Sequence, residues 1–182
     1  EGTAVHWHGI RLENRMDGVP MMTQDLINPG DNKTYSFVPP DAGTYWYHSH
    51  YISQEQVARG MMGPLIIAED GSLIDEFSDM HSVAHAGYMG NFARGFLSQD
   101  AVKNADRIRL RMINAATNRI FSLAVTGVTG SVVALDGMAL ETPRSLADLV
   151  LAPAQRADLI VDITGPVGFD MQSRQGSYRL AE

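Results

Sequence analysis

The sequence predicts an all-β chain in two halves, and three observations carry that prediction. Apolar and polar residues alternate over short stretches, as they do in strands with one buried face. Turn formers interrupt these stretches often, with Gly 17 and Pro 8 among 182 residues. Helical periodicity is weak, and only Ser53–Arg59 has room for one or two turns. Many short strands with turns at such spacing point to β-sandwiches or barrels.

The first group of strands is expected at Thr3–Leu12, Asn32–Val38, Gly43–His50 and Gly60–Ala68. Asn28-Pro29-Gly30-Asp31 and Pro39-Pro40-Asp41-Ala42-Gly43 supply tight turns between them, because Pro presets φ and Gly accepts the left-handed region. The second group is expected at Arg107–Ala115, Ile120–Val125, Ser131–Leu135, Ser145–Leu151, Ala157–Ile163 and Ser177–Leu180. Its first member, Arg107-Ile108-Arg109-Leu110-Arg111-Met112-Ile113, has period two, with Arg on one face and Ile, Leu and Met on the other. The stretch Glu69–Lys103 breaks the rhythm with small, polar and Gly residues. This divides the chain into a domain at residues 1–70, a linker at 71–105 and a second domain at 106–182. Both ends run in strand-like alternation, His6-Trp7-His8 entering directly after Glu1-Gly2-Thr3-Ala4-Val5, so the chain is expected to be part of a longer one.

Composition narrows the function classes. Fourteen Lys+Arg against 21 Asp+Glu give a net charge of −7 and a pI near 5.3, which disfavours nucleic acid as partner. No apolar run approaches the roughly 20 residues of a membrane helix, so no membrane partner is expected. Cysteine is absent, which excludes disulfides, thiolate metal sites and thiol nucleophiles within these residues.

Four of the six histidines fall in one repeated pattern, His6-Trp7-His8 and His48-Ser49-His50. In a strand, residues i and i+2 share a face, about 6.5–7 Å apart. Each triplet therefore presents two imidazoles side by side, and neighbouring strands would bring four together. Neutral imidazole suits Cu, Zn, Fe and Ni, and neither triplet holds a carboxylate. A lone HxH is commonly a packed strand pair, but two copies favour a metal. His81 and His85 stand i,i+4 and are expected to be exposed polar residues of the linker.

The residues around these triplets carry a resemblance. His6-Trp7-His8-Gly9-Ile10 is followed by Asp17-Gly18-Val19-Pro20, Thr23-Gln24, Asn28-Pro29-Gly30 and Tyr35-Ser36-Phe37. Then come Ala42-Gly43-Thr44-Tyr45-Trp46-Tyr47-His48-Ser49-His50 and Gly60-Met61-Met62-Gly63-Pro64-Leu65-Ile66-Ile67. In order and spacing, residues 3–68 resemble the first cupredoxin domain of the laccase-like multicopper oxidases, closest to bacterial laccase-like or copper-resistance enzymes. Arg107–Ala115, Val133–Gly137 and Leu151–Asp158 look, more loosely, like the second domain. The resemblance implies two cupredoxin-like Greek-key barrels or sandwiches. It puts the type 2 copper on His6 and the type 3 coppers on His8, His48 and His50. Trp7 and Tyr47 would pack beside the imidazoles or serve as ordinary barrel packing, and Glu55 is a proton-relay candidate or a plain surface carboxylate. No catalytic residue beyond the copper ligands is assigned.

In the family, a type 1 copper held by a Cys passes electrons to the trinuclear cluster, where oxygen becomes water. This chain has no Cys and no HCH or HxxHxH motif. It would thus supply half of the trinuclear cluster, with the type 1 copper and the remaining ligands in a missing third domain of the same chain. A homologue that has lost copper, and a complete two-domain oxidase, fit less well. The connection at Glu69–Met80 is also shorter than the family's, so residues could be absent internally. The parent enzyme implied is periplasmic or secreted. It would couple oxidation of phenolic or aromatic donors, or of metal ions, to O2 reduction. The alternatives are a non-catalytic protein that binds or delivers copper, for which ten Met offer thioethers, and a scaffold domain without metal.

Overall fold

The computed structural model describes residues 1–68, 82–83 and 104–181. The chain divides into two units, Glu1–Ala68 and Glu69–Glu182. In the first, β1 (Val5–His8), β2 (Gly43–Ser49) and β3 (Met62–Ile67) form one antiparallel sheet in the order β1-β2-β3. β1 is shorter than the expected Thr3–Leu12 because Gly9, at φ 86°, turns the chain out of the ladder. The single α-helix of this unit, α1 (Ser53–Gln56), is one turn following β2.

Residues 32–38, expected as a strand, form no ladder. Their alternation has another cause: Tyr35 and Phe37 lie edge-on to Trp7, with ring centroids 5.4 and 5.3 Å away, while Val38 is exposed. The buried residues of this unit mix apolar Ala4, Ile10, Tyr45, Trp46 and Val57 with polar Thr44, His48, Ser49 and Gln56.

The second unit is a larger sheet with the order β4-β5-β9-β6-β7. Its strands are β4 (Ser82–Val83), β5 (Arg107–Ile113), β6 (Phe121–Leu135), β7 (Met138–Ser145), β8 (Leu149–Leu151), β9 (Arg156–Ser173) and β10 (Gly176–Ala181). β4 lies in the stretch expected as linker and pairs parallel with β5. The rest of that expected linker, including His81 and His85, lies outside the described residues.

The strands expected at Ile120–Val125 and Ser131–Leu135 are one 15-residue strand, β6. Two glycines that read as breaks let it bend instead of ending. A Cβ on Gly127 (φ 73°) would sit 2.0 Å from the Pro166 carbonyl oxygen, and one on Gly130 would sit 2.1 Å from that of Ile160. Only glycine lets β9 approach so closely there. β9 changes neighbours along its 18 residues, from β5 to β10, and so the sheet curls. β7 escaped prediction because it is an almost fully exposed edge strand, with Pro143 and charges in place of alternation. The stretch expected at Ser145–Leu151 is a 3-10 turn, Leu146–Asp148, followed by β8.

The core of this unit is apolar, with Ile108, Leu123, Val132, Leu149, Leu151, Ala157, Leu159, Val161 and Ile163 buried together. On β5 the period-two pattern holds. Ile108, Leu110 and Met112 reach this core, while Arg107 pairs with Asp162, and Arg109 and Arg111 with Asp158.

Candidate metal centre

The imidazoles meet because of strand register. β1 and β2 pair so that His6 stands directly opposite His48, and His8 opposite Trp46. Alternation then puts His6, His8 and His48 on one face of the sheet. His50 follows one residue beyond β2, where its N–H donates to the Ala4 carbonyl at 2.9 Å. The His6 ring is central, with centroids 5.5 Å from His8, 5.3 Å from His48 and 5.2 Å from His50. One ring nitrogen from each of His6, His8 and His48 lies within 4.8 Å of the other two. His48 is buried and His50 exposed.

Hydrogen bonds assign the free nitrogens. His6 Nδ1 lies 2.8 Å from the Asp17 carbonyl oxygen, and His48 Nδ1 lies 2.8 Å from that of Ser49. A carbonyl only accepts, so both Nδ1 atoms carry the proton and each Nε2 keeps its lone pair. His8 Nδ1 sits 3.2 Å from His48 Nε2. With the His48 proton on Nδ1, His48 Nε2 accepts from His8 Nδ1–H, and these two nitrogens would be the ones to hold a cation. Burial pushes the His48 imidazole below its ordinary pKa, the Ser49 carbonyl opposes this, and the neighbouring His6 and His50 lower it further. His48 is therefore held neutral, the form that binds metal.

Trp46 shares the face of the histidines and leans over His48, with centroids 4.3 Å apart and planes 34° from parallel. It also lies 5.2 Å from the His8 ring. Trp7 and Tyr47 do not pack beside the imidazoles. Alternation turns them to the other face, where they meet each other at 5.8 Å alongside Tyr35 and Phe37, as barrel packing. Glu55 pairs with Arg59 at 2.6 Å on the exposed side of α1.

The acid beside the cluster is instead Asp17, whose Oδ1 is 3.3 Å from His6 Nδ1. Sequence spacing missed it, because the contact depends on the Asp17-Gly18 turn folding back onto β1. Gly18 (φ 77°) makes that possible, since a Cβ there would stand 1.7 Å from the Val5 carbonyl oxygen. A DG pair shortly after a histidine triplet was the available signal.

Two family models, both described as multicopper oxidase, match residues 1–72 and 44–174. The chain belongs to the multicopper oxidase family. Lac15 from a marine microbial metagenome superimposes with a TM-score of 0.87 at 46% identity, over 100% of this chain and 52% of that one. The blue copper oxidase from Nitrosomonas europaea follows with a TM-score of 0.79 at 28% identity, over 94% and 63%. Laccase-1 of Botryotinia fuckeliana is 30% identical across 92% of this chain and 34% of its own length. The chain thus spans about a third of that relative. The fold is the cupredoxin-like all-β fold of this family, and the family implies copper. The donor set fits it: clustered imidazoles, the buried one held neutral, and no carboxylate among the three whose nitrogens converge.

Proposed function

We propose that this chain is the part of a laccase-like multicopper oxidase that holds one side of its trinuclear copper cluster. His6 would serve the type 2 copper, and His8, His48 and His50 the type 3 pair. The observation that carries the reading is the convergence of ring nitrogens from His6, His8 and His48 within 4.8 Å on one sheet face, with His50 beside His6. Bound copper supplies the one-electron chemistry by which O2 is reduced to water at the expense of a phenolic, aromatic or metal-ion donor.

The residues of this chain orient the ligands. The Asp17 and Ser49 carbonyls fix which nitrogen of His6 and His48 is presented. Trp46 covers His48 and His8 from one side, holding their rings and keeping water from that flank. The Asp17 carboxylate, part-exposed and 3.3 Å from His6, is placed to hold or pass a proton at the edge of the cluster. The type 1 copper, the donor pocket and the remaining ligands would belong to a further domain of the parent protein, which is periplasmic or secreted in this reading.

The competing reading is a copper-binding protein without oxidase activity. It draws on Met21 and Met22, whose side chains are almost fully exposed and offer thioethers for Cu(I). The test is copper(II) titration of the chain and of its His48→Ala/His50→Ala variant, followed by Trp fluorescence, with O2 consumption measured on the full-length parent. Loss of copper binding in the variant and a blue, oxygen-consuming parent are expected. A variant that binds copper as well as the original overturns the ligand assignment. A parent that binds copper without consuming O2 leaves the delivery reading.

A further inference from the structure

On the far face of the ligand sheet lies a buried polar cluster that no ligand assignment uses. Gln56, the last residue of α1, is only 6% exposed. Its Oε1 accepts from the Ser49 hydroxyl at 2.5 Å and from the Thr3 hydroxyl at 2.9 Å, and its Nε2 donates to the Gly2 carbonyl at 2.9 Å. These partners fix the amide orientation, because a flipped amide would aim its carbonyl at another carbonyl. Ser49 and Thr3 also touch each other, with hydroxyl oxygens 3.1 Å apart.

The placement matters more than the count of bonds. Ser49 is the residue between His48 and His50, so its side chain points away from the imidazoles while its carbonyl receives His48 Nδ1–H. Thr3 lies two residues before β1, the strand that carries His6 and His8. One amide therefore ties both ligand strands together where their ladder is only four residue pairs long. A slip of one residue in so short a ladder would put His6 and His8 on the opposite face from His48 and His50.

We propose that Gln56 is a positioning residue for the histidine cluster. It locks the register of β1 against β2 and, through Ser49, the ring orientation and tautomer of His48. As a role in copper binding, this rests on the function proposed above. As a role in orienting His48, it stands without any metal.

The experiment replaces Gln56 by Met, which keeps the length and apolar bulk and removes all three hydrogen bonds. In the metal-free chain carrying 15N-histidine, the original shows His48 with its proton on Nδ1. Gln56→Met is expected to shift these ring signals toward a mixture of tautomers and to weaken copper(II) binding about 10- to 100-fold, the range for residues that orient metal ligands. Thr3→Val, which removes one of the three bonds to Gln56, is expected to move both readouts in the same direction by less. It decides the matter if Gln56→Met does not fold. Unchanged His48 signals in a folded variant overturn the proposal. His48→Ala, run alongside, separates the two readings. If it binds copper like the original, the copper assignment falls, and the tautomer readout still decides the role of Gln56.

Discussion

The two units of this chain share a fold class and differ in what occupies their interiors. Among the described residues, 104–181 bury twelve apolar side chains, nine of them in one cluster, against four polar or charged ones, and the charges are paired, as Asp158 is by Arg109 and Arg111. Residues 1–68 bury five apolar side chains against four polar ones, and one of those four is His48. The larger sheet is organised by hydrophobic burial, the dominant favourable term in folding. The smaller sheet gives up part of that term to hold imidazoles and the groups that orient them. In a unit of this size such a concession leaves little margin. The unit that carries the histidines should therefore depend on its polar network and, in the proposed reading, on copper, and the larger unit on its core and its buried ion pairs.

The change that should separate them most is Asp158→Asn. It leaves the Arg109 and Arg111 guanidinium groups beside a neutral amide in a place where Asp158 itself is 2% exposed. Removing one partner of a buried charge cluster costs about 3–5 kcal/mol. Amide hydrogen exchange should show loss of protection in β5 and β9, while copper(II) affinity at the histidines stays within about twofold. Equal losses in both units would break the comparison.

Copper should act the other way round. A ligand that binds only the folded state, at 100 times its dissociation constant, stabilises by about 2.7 kcal/mol. That gain is expected in β1 and β2 and absent from β5 and β9, again by hydrogen exchange. Trp46, 4.3 Å from His48, should report the same event through quenched fluorescence. Uniform protection across both units would mean that the metal is not confined to the histidine face.

The same contrast explains what could be read beforehand. Alternation in Arg107–Ile113 is enforced by a core and β5 stands close to where expected, whereas the stretch expected at Ala157–Ile163 is only the first part of β9, which runs on to Ser173. The HWH and HSH spacing fixed which side chains share a face, because i and i+2 on a strand leave no choice. What spacing could not convey was tertiary. Beyond the turn signal of Asp17-Gly18, nothing local in the sequence puts the Asp17 carbonyl under His6 or Gln56 under Ser49, whereas Trp46 rather than Trp7 against the imidazoles follows from the same alternation. Residues 32–38 misled for a related reason: their aromatic alternation reports packing against Trp7, which a strand pattern mimics. Gly127 and Gly130 misled because a glycine that permits a bend looks, in sequence, like one that ends a strand.

Gly18→Ala sharpens the point about the smaller unit. The residue sits at φ 77°, and its Cβ would meet the Val5 carbonyl oxygen at 1.7 Å. Left-handed backbone costs a residue with a Cβ about 1–2 kcal/mol, and the clash moves the turn away from β1 as well. His6 then loses the carbonyl that fixes its Nδ1 proton. The expected outcome is a lower melting temperature for residues 1–68 together with copper(II) binding about tenfold weaker. A loss of stability with full copper affinity would show that Asp17 does not orient His6.

The smallest effect is expected at Ile52, and its sign is the informative part. This residue, two after His50, caps α1 in the left-handed region at φ 46° and ψ 51°. Branching at Cβ makes that conformation unfavourable, and its side chain, 41% exposed, gains little from burial. Asn tolerates the same φ and ψ at lower cost. Ile52→Asn should therefore raise stability by about 0.5–1 kcal/mol, which in a domain of 60–100 residues moves the melting temperature by roughly 2–8 °C. Because the chain path into α1 is unchanged, Gln56 stays in place and copper affinity should hold. A drop in stability would mean that the Ile52 side chain holds α1 down by packing. A rise in stability with weaker copper binding would be the more telling result, since it would place the strain of this turn among the forces that orient His48 and His50.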